Sequence, residues 1–347
     1  MAQQVASAPS PRYEGPAGGT PPLRRSHRRD IYGALDLGTN NCRLLIARPS
    51  DDGFTVLDAF SRIVRLGEGL STSGKLTQGS MDRAVEALAV CADKLRRRHV
   101  TLSRSVATEA CRRAVNGREF AARVKQETGI ALEIIAPQEE ARLAVLGCHK
   151  LLEPGDGPAL IFDIGGGSTE LVLVEPGDPN PRIRAWWSAP WGVVSLTESE
   201  GREAIEGKDR VAAYGRMRER VLRSFAHFVE MLPDKLDNIR LLGTSGTVTT
   251  LASVHLALPA YDRRQVDGLH VPVGNMRKIS TMIAEMDFEQ RSGLPCIGTD
   301  RADMVVAGCA ILEAILDIWP ADTLGIADRG IREGILRSLM ARDGYQL

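Results

Sequence analysis

The sequence has no CxxC pair. Its six cysteines, Cys42, Cys91, Cys111, Cys148, Cys296 and Cys309, are scattered along the chain, which fits reduced core thiols rather than a disulfide framework or a zinc site. Neither charge is in excess: 44 Lys and Arg balance 44 Asp and Glu. No global field therefore draws in nucleic acid or an anionic membrane, and any polyanion must be met by a local cluster. The apolar runs, 159–162 and 171–174 among them, fall far short of the roughly 20 residues of a membrane span. There is no GxxxxGK[ST] run, which removes the ordinary P-loop reading. None of His27, His99, His149, His227, His255 and His270 is followed by Asp or paired at metal-ligand spacing, which disfavours a histidine–aspartate metal hydrolase.

What is present is ordinary globular composition, 43% hydrophobic and 25% charged over 347 residues, enough for two domains with separate cores. Residues 1–29 are rich in Pro, Gly, Ala and Ser, end in Arg24-Arg25-Ser26-His27-Arg28-Arg29, and contain no apolar stretch of a secretory signal. They read as a flexible, solvated tail on a cytoplasmic protein.

The folded part is expected to begin near Ile31, where IYGALDLG, CRLLIA and FTVLDAFSRIV predict three successive strands, a meander. Met81, Ala84, Val85, Leu88, Cys91, Ala92 and Leu95 recur at helical spacing and predict an amphipathic helix over 80–99 with a basic end. A strand over 105–108, a helix from about Asn116, a strand over 132–135 and a helix from Pro137 follow, the alternation of an α/β layer. After the turn-rich segment 153–158 the pattern restarts: DIGGGSTELVLVE aligns without a gap on DLGTNNCRLLIAR, Asp163 on Asp36, an internal duplication. Later expectations are helices around 209–232, 275–286 and 300–317, a strand over 239–242 running into the glycine turn Gly243–Thr247, a strand over 323–327 and a last helix over 331–340.

In Asp163 to Glu170 an apolar strand ends in an aspartate followed by Gly165, Gly166 and Gly167, whose unobstructed N–H groups can converge on an anion. A glycine-rich hairpin with Asp163 accepting local hydrogen bonds would explain one copy. The second copy, Asp36 to Asn41, favours a pair of phosphate-binding turns whose aspartates face each other and hold Mg²⁺ directly or through its waters. Thr39, Asn40, Asn41, Ser168 and Thr169 add side-chain donors. The third turn, Gly243, Thr244, Ser245, Gly246 and Thr247, offers further N–H groups at a helix start. Glu139 and Glu140 open a helix, where carboxylates also serve the dipole alone. Arg112 and Arg113, like Arg62 and Arg65, carry forks suited to phosphate oxygens, although such side chains are commonly just solvated.

Together ALDLGTNNCRLLIA, RIVRLGEGL, VATEACRRAVNG, IIAPQEEARLAVLG, IFDIGGGSTELVLV, LLGTSGTVTTLA and GIADRGIREGIL resemble the exopolyphosphatase and guanosine pentaphosphate phosphatase family, over nearly all of residues 31–340. The resemblance implies an α/β, two-lobed, actin-like (ribonuclease H-like) duplicated fold with the active site in the interlobe cleft. It implies lobes of 30–137 plus 333–347 and of 138–332. It also implies hydrolysis of a terminal phosphoanhydride of inorganic polyphosphate, or of pppGpp to ppGpp. Carried onto this sequence, Glu140 prepares the attacking water and Glu170 assists at metal and water. Asp163 and Asp36 belong to the metal site, and Arg112 contacts phosphate. The expected cofactor is Mg²⁺, with Mn²⁺ as a substitute and a monovalent cation such as K⁺ as an accessory; the expected assembly is a homodimer.

One departure stands out. The sequence stops at Leu347 without the additional helical domains of long family members, so it resembles the short form, and shorter polyphosphate is the expected substrate. Outside this class, the duplicated turns are shared with actin-like ATP-dependent kinases, and a non-catalytic polyanion sensor would need no base. The EEAR helix and the intact Asp163, Glu140 and Glu170 weigh against both.

Overall fold

In the computed structural model of the chain, the residues described are 30–51, 53–153, 155, 157–175, 181–233, 236 and 238–345. The expected tail, 1–29, lies outside them, as do Pro154 and Asp156 of the central turn. The elements run β1 (Tyr32–Leu37), β2 (Asn41–Ser50), β3 (Gly53–Ile63), α1 (Leu70–Ser73), α2 (Gln78–Arg97), β4 (Leu102–Ala107), α3 (Glu109–Arg113), α4 (Gly117–Thr128), β5 (Glu133–Ile134) and α5 (Pro137–Cys148). The second half runs β6 (Ala159–Ile164), β7 (Thr169–Glu175), β8 (Arg182–Ala189), α6 (Val193–Glu200), α7 (Arg202–Glu206), α8 (Arg210–Glu230), β9 (Arg240–Thr244) and α9 (Gly246–His255). It closes with α10 (Arg263–Val266), β10 (His270–Pro272), α11 (Val273–Glu285), α12 (Phe288–Ser292), α13 (Val305–Ile318), β11 (Thr323–Ala327) and α14 (Ile331–Arg342).

Two sheets result, ordered β3-β2-β1-β4-β5 and β10-β11-β9-β6-β7-β8. In each, an antiparallel three-strand meander is extended by parallel strands, and in the second sheet β10 adds antiparallel at the edge. The chain has a two-sheet, two-lobed, actin-like fold. The duplication is visible down to single hydrogen bonds: Gly38 N–H donates to Asn41 O at 2.9 Å, and at the equivalent point of the second half Gly165 N–H donates to Ser168 O at 2.9 Å.

The apolar runs of β1 and β6 are continuous because both faces of each sheet are covered. Leu35 and Leu37 join a core with α2 and α4, while Tyr32 and Ala34 point the other way, onto Ile335, Leu336, Leu339 and Met340 of α14. In the second sheet Leu160 and Phe162 pack toward α8, α9, α11 and α13, and Ala159 and Ile161 toward α5. Helix α2 begins where the Thr77 side chain accepts Ser80 N–H at 3.2 Å. It ends on Arg96 and Arg97, cations suited to its C-terminal dipole. Pro137 starts α5 because the missing N–H is no loss at a first helical position.

The cysteines are free, and all but the half-buried Cys296 lie in the core. No helix among the described residues is long and apolar enough to cross a membrane. Two boundaries move from expectation. Strand β4 starts at Leu102, and α13 starts at Val305 because residues 301–304 form turns, Arg301 N–H closing on Gly298 O at 3.4 Å. Strands β8 and β10, helix α6 and the short helices α1, α3, α7, α10 and α12 are additions.

Candidate active site

The registers of the second sheet set four side chains in one row. Thr244 of β9 lies beside Asp163 of β6, Asp163 opposite Glu170 of β7, and Glu170 opposite Ser188 of β8. Directly paired residues point to the same face with Cβ atoms about 5 Å apart. In the first sheet the corresponding row is Val106, Asp36, Arg43 and Ser61. Both aspartates, Arg43 and Glu170 line one cleft, together with Glu109, Glu140 and the three glycine turns.

The two duplicated turns meet. A Cβ on Gly166 would stand 2.9 Å from Thr39 Cβ and 3.1 Å from Asn40 N, and one on Gly167 would stand 2.7 Å from Thr39 Oγ1. Glycine is needed here for close approach of turn to turn as well as for exposed backbone. Among the described residues, the N–H groups of Thr39, Asn40, Gly166 and Gly167 find no acceptor in the protein, so they remain available to an anion. In the third turn Ser245 has φ 126° and ψ 171°, a region L-residues avoid. Its side chain accepts Thr247 N–H at 3.2 Å. Strain of this kind is concentrated at ligand-holding turns.

Glu139 and Glu140, adjacent at the start of α5, take opposite paths. Glu139 bonds Arg104 at 2.7 Å and Arg142 at 2.7 Å on the outside, and these guanidinium groups, Arg142 foremost, hold its carboxyl below the usual range. Glu140 turns inward and is buried. Burial pushes its carboxyl well up, and the field of Glu170 adds to this, against the pull of Arg112. Arg112 fixes one of its oxygens: Nη1 donates to Glu140 Oε2 at 3.0 Å and to Ile135 O at 2.8 Å, while Nη2 donates to Glu109 Oε2 at 2.7 Å.

The other cleft carboxylates shift the same way. Burial raises Asp36, with Arg43 and Arg332 opposing. Burial followed by the Glu170 charge pushes Asp163 up to about 8. Burial also raises Glu170, countered by hydroxyl hydrogen bonds from Ser168 and Ser188. Two buried carboxylates, Glu140 and Glu170, and two half-buried ones, Asp36 and Asp163, share the cleft, and the charges of Glu170 and Asp36 raise both Glu140 and Asp163, a site shaped for positive charge. Asp36 Oδ1 and Asn40 Oδ1 are buried without a hydrogen-bond partner. Among the described residues no three metal-ligating side chains converge on one point. The unpartnered oxygens of Asp36 and Asn40 fit a hydrated Mg²⁺, which keeps several waters and takes one or two carboxylates plus substrate phosphate oxygens.

Three expected site residues do not reach the cleft wall. Arg112 is occupied by Glu109, Glu140 and Ile135 O. Thr169, one step before Glu170, points to the opposite face, where its hydroxyl donates to Trp191 O at 2.7 Å. Gly243, one step before Thr244, is packed so that a Cβ would meet the Phe162 ring and Val248 at 2.8 Å. Asp36, Thr39, Asn40, Asn41, Glu140, Asp163, Gly165, Gly166, Gly167, Ser168, Glu170, Thr244, Ser245, Gly246 and Thr247 all line it. Arg62 lies over Phe60, Arg65 pairs with Asp303 at 3.2 Å, and Arg113 is exposed. The sequence reading missed Arg43, Glu109, Arg301 and Arg332 on the cleft wall. Arg43 was signalled by the duplication, which sets it on Glu170, and Glu109 by its i,i+3 spacing from Arg112.

The model of the Ppx/GppA phosphatase family matches residues 45–343. Exopolyphosphatase 2 of Mycobacterium tuberculosis is 31% identical over 323 residues, covering 88% of this chain and 97% of its own. Guanosine-5'-triphosphate,3'-diphosphate pyrophosphatase of Aeromonas hydrophila is 27% identical and covers 91% of this chain, but only 61% of that relative is matched. The crystal structure of the Aquifex aeolicus Ppx/GppA family member superimposes with a TM-score of 0.74 at 29% identity, over 91% of this chain and 99% of its own. That of an exopolyphosphatase from Cytophaga hutchinsonii, 23% identical with a TM-score of 0.80 over 91% of this chain and 99% of its own, shares the fold.

Proposed function

Because the chain belongs to the Ppx/GppA phosphatase family, we propose that it is an exopolyphosphatase, releasing orthophosphate from the ends of inorganic polyphosphate. The observation that carries this reading is Glu140, buried at the cleft and held through one oxygen by Arg112, facing the carboxylates of Asp36, Asp163 and Glu170 beneath two turns with unspent N–H groups.

In this mechanism the terminal phosphoryl group lies in the turns, its oxygens taking N–H bonds from Thr39, Asn40, Gly166 and Gly167. Glu140, with Oε2 fixed, orients a water on its other oxygen and accepts the proton as that water attacks phosphorus; the bridging P–O bond breaks, its oxygen departs with the shortened polyphosphate, and the attacked phosphoryl group is released as orthophosphate. Burial, with the Glu170 charge adding to it, raises the Glu140 carboxyl, and a carboxylate with a raised proton affinity is the stronger base toward water. Mg²⁺, for which Mn²⁺ can stand in, would be held by Asp36, Asp163 and Glu170 through its waters and would neutralise charge on the phosphate oxygens. Arg43 supplies a permanent positive charge that acts on both aspartates.

We place the lobes at 30–137 plus 333–347 and at 138–332, supported by α14 packing on the first sheet and α5 on the second. K⁺ assistance, a homodimer and a cytoplasmic location follow from the family resemblance.

The similarity to the Aeromonas pyrophosphatase supports a second substrate, pppGpp, in the same cleft. Phosphate release from polyphosphate of defined lengths and from pppGpp, in Mg²⁺, tests both. Release from polyphosphate supports the first reading; release from pppGpp alone replaces it with the second. ATP-dependent phosphorylation of a sugar or acid, or binding with no turnover, overturns both.

A further inference from the structure

Glu170 is held by one oxygen only. Ser168 Oγ donates to its Oε1 at 2.7 Å and Ser188 Oγ donates to the same Oε1 at 2.9 Å. Ser168 belongs to the glycine turn, but Ser188 comes from β8, outside every motif of the sequence, and it is the residue directly opposite Glu170 in the β7–β8 register. Each hydroxyl has a single proton to give, so both are committed to this carboxylate. Two donors converging on Oε1 from different strands fix the last torsion of the side chain, which is otherwise broad, and leave Oε2 for the cleft that Glu170 lines.

The duplication supplies an internal comparison. Ser61 is the counterpart of Ser188 in the first half, opposite Arg43 in β3, and is exposed. There the neighbour is a guanidinium, which accepts no hydrogen bond. The serine therefore has a carboxylate to hold in only one of the two copies.

We propose that Ser188 is a positioning residue for Glu170, fixing which carboxylate oxygen faces the reacting phosphate and its hydrated cation. This rests on the exopolyphosphatase reading for its consequence, though not for its geometry. A positioned group misplaced by a fraction of an ångström loses rate more than binding.

Two measurements on Ser188→Ala and Ser188→Thr test it. In crystal structures of the metal-free proteins, Glu170 should rotate or split into two rotamers in Ser188→Ala and keep its single position in Ser188→Thr. In phosphate release, Ser188→Ala should lower kcat by about 3- to 10-fold with KM changed less than about 2-fold, and Ser188→Thr should restore kcat to within about 2-fold. An unmoved Glu170 in Ser188→Ala, an unchanged kcat, or a loss that Ser188→Thr does not recover overturns the proposal. Should the wild-type protein hydrolyse neither polyphosphate nor pppGpp, the functional reading fails, and the position of Glu170 in Ser188→Ala still decides whether Ser188 holds it.

Discussion

Arg43 and Glu170 stand at equivalent points of the two halves, each directly opposite the aspartate near the end of the preceding strand. The duplication therefore builds a cleft symmetric in backbone and opposite in charge, a guanidinium on one wall and a carboxylate on the other. Arg43 opposes the burial-driven rise of both Asp36 and Asp163, and no ion pair ties it down among the described residues.

Arg43→Ala is accordingly expected to weaken substrate binding more than chemistry. KM for polyphosphate should rise by about 10-fold or more, the scale of one charge-assisted hydrogen bond, with a smaller change in kcat. Steady-state kinetics at saturating Mg²⁺ checks this; an unchanged KM would remove Arg43 from substrate contact.

Glu140→Gln keeps the shape and an oxygen for Arg112 to hold, and removes the ability to take a proton. Polyphosphate binding, measured by calorimetry, should stay near normal while kcat falls on the order of 10²-fold or more. Turnover near wild type would show that Glu140 is not the base.

How far such roles are legible in the sequence depends on how local their signals are. The duplicated hairpins, strand β11 and helix α2 follow from apolar periodicity and a repeat. Glu140 cannot be told from Glu139 by spacing; burial and Arg104 separate them. Thr169 and Gly243 enter the candidate set because a motif is taken as a unit; strand alternation sets each one residue before a side chain that faces the cleft, so each lies away from its wall. Arg112 reads as a phosphate ligand because its partners, Glu109, Glu140 and the Ile135 carbonyl, come together only in the folded chain. Strand β8 has irregular alternation, and its register shifts between Leu173 and Val174 of its partner β7, so it leaves no clean period-2 pattern.

The proposed metal role of Asp163 would tie metal affinity to pH. Its carboxyl ionises at its ordinary 3.8 when unfolded and at about 8 in the folded, metal-free protein. Between those values the unfolded chain has released a proton that the folded chain still holds, so this group's contribution to stability is lost as pH rises through that window. Asp163→Asn should therefore gain in Tm relative to wild type between pH 5 and pH 8 in the presence of a chelator. The same variant should need more Mg²⁺ or Mn²⁺ for half-maximal activity. A Tm difference that does not change with pH, with an unaltered metal titration, would reduce Asp163 to a turn residue.

The cleft rim is tied across the halves. Glu198 of α6 accepts Gly69 N–H at 2.8 Å and the Ser71 hydroxyl, both from the loop and helix after β3, and Arg65 meets Asp303 at 3.2 Å. Glu198→Ala should loosen this closure, giving a larger radius of gyration in X-ray scattering and a KM raised about 3- to 10-fold. Unchanged scattering and kinetics would mean that the rim contact does not govern closure.

Helices α5 and α14 join the two sheets and cross with their backbones in contact. A Cβ on Gly334 would stand 2.0 Å from Leu143 O, and one on Gly147 would stand 2.0 Å from Gly330 O. Neither obstacle is a flexible side chain, so one helix must move. Because α14 packs on the first sheet and α5 on the second, that movement is transmitted to the cleft, where Glu140 projects from α5 itself. Gly334→Ala should destabilise by about 1–3 kcal/mol, the usual cost of overpacking, and lower kcat even at temperatures where the variant is fully folded. Gly215, exposed inside α8 with nothing within 4 Å of its Cβ position, is the matched control: Gly215→Ala should stabilise by about 0.5–1 kcal/mol through helix propensity alone. Thermal melts of the pair separate crowding at the crossing from any general effect of adding a methyl group to a helix. If Gly334→Ala matched Gly215→Ala in Tm and activity, the crossing would have to be looser than its contacts describe.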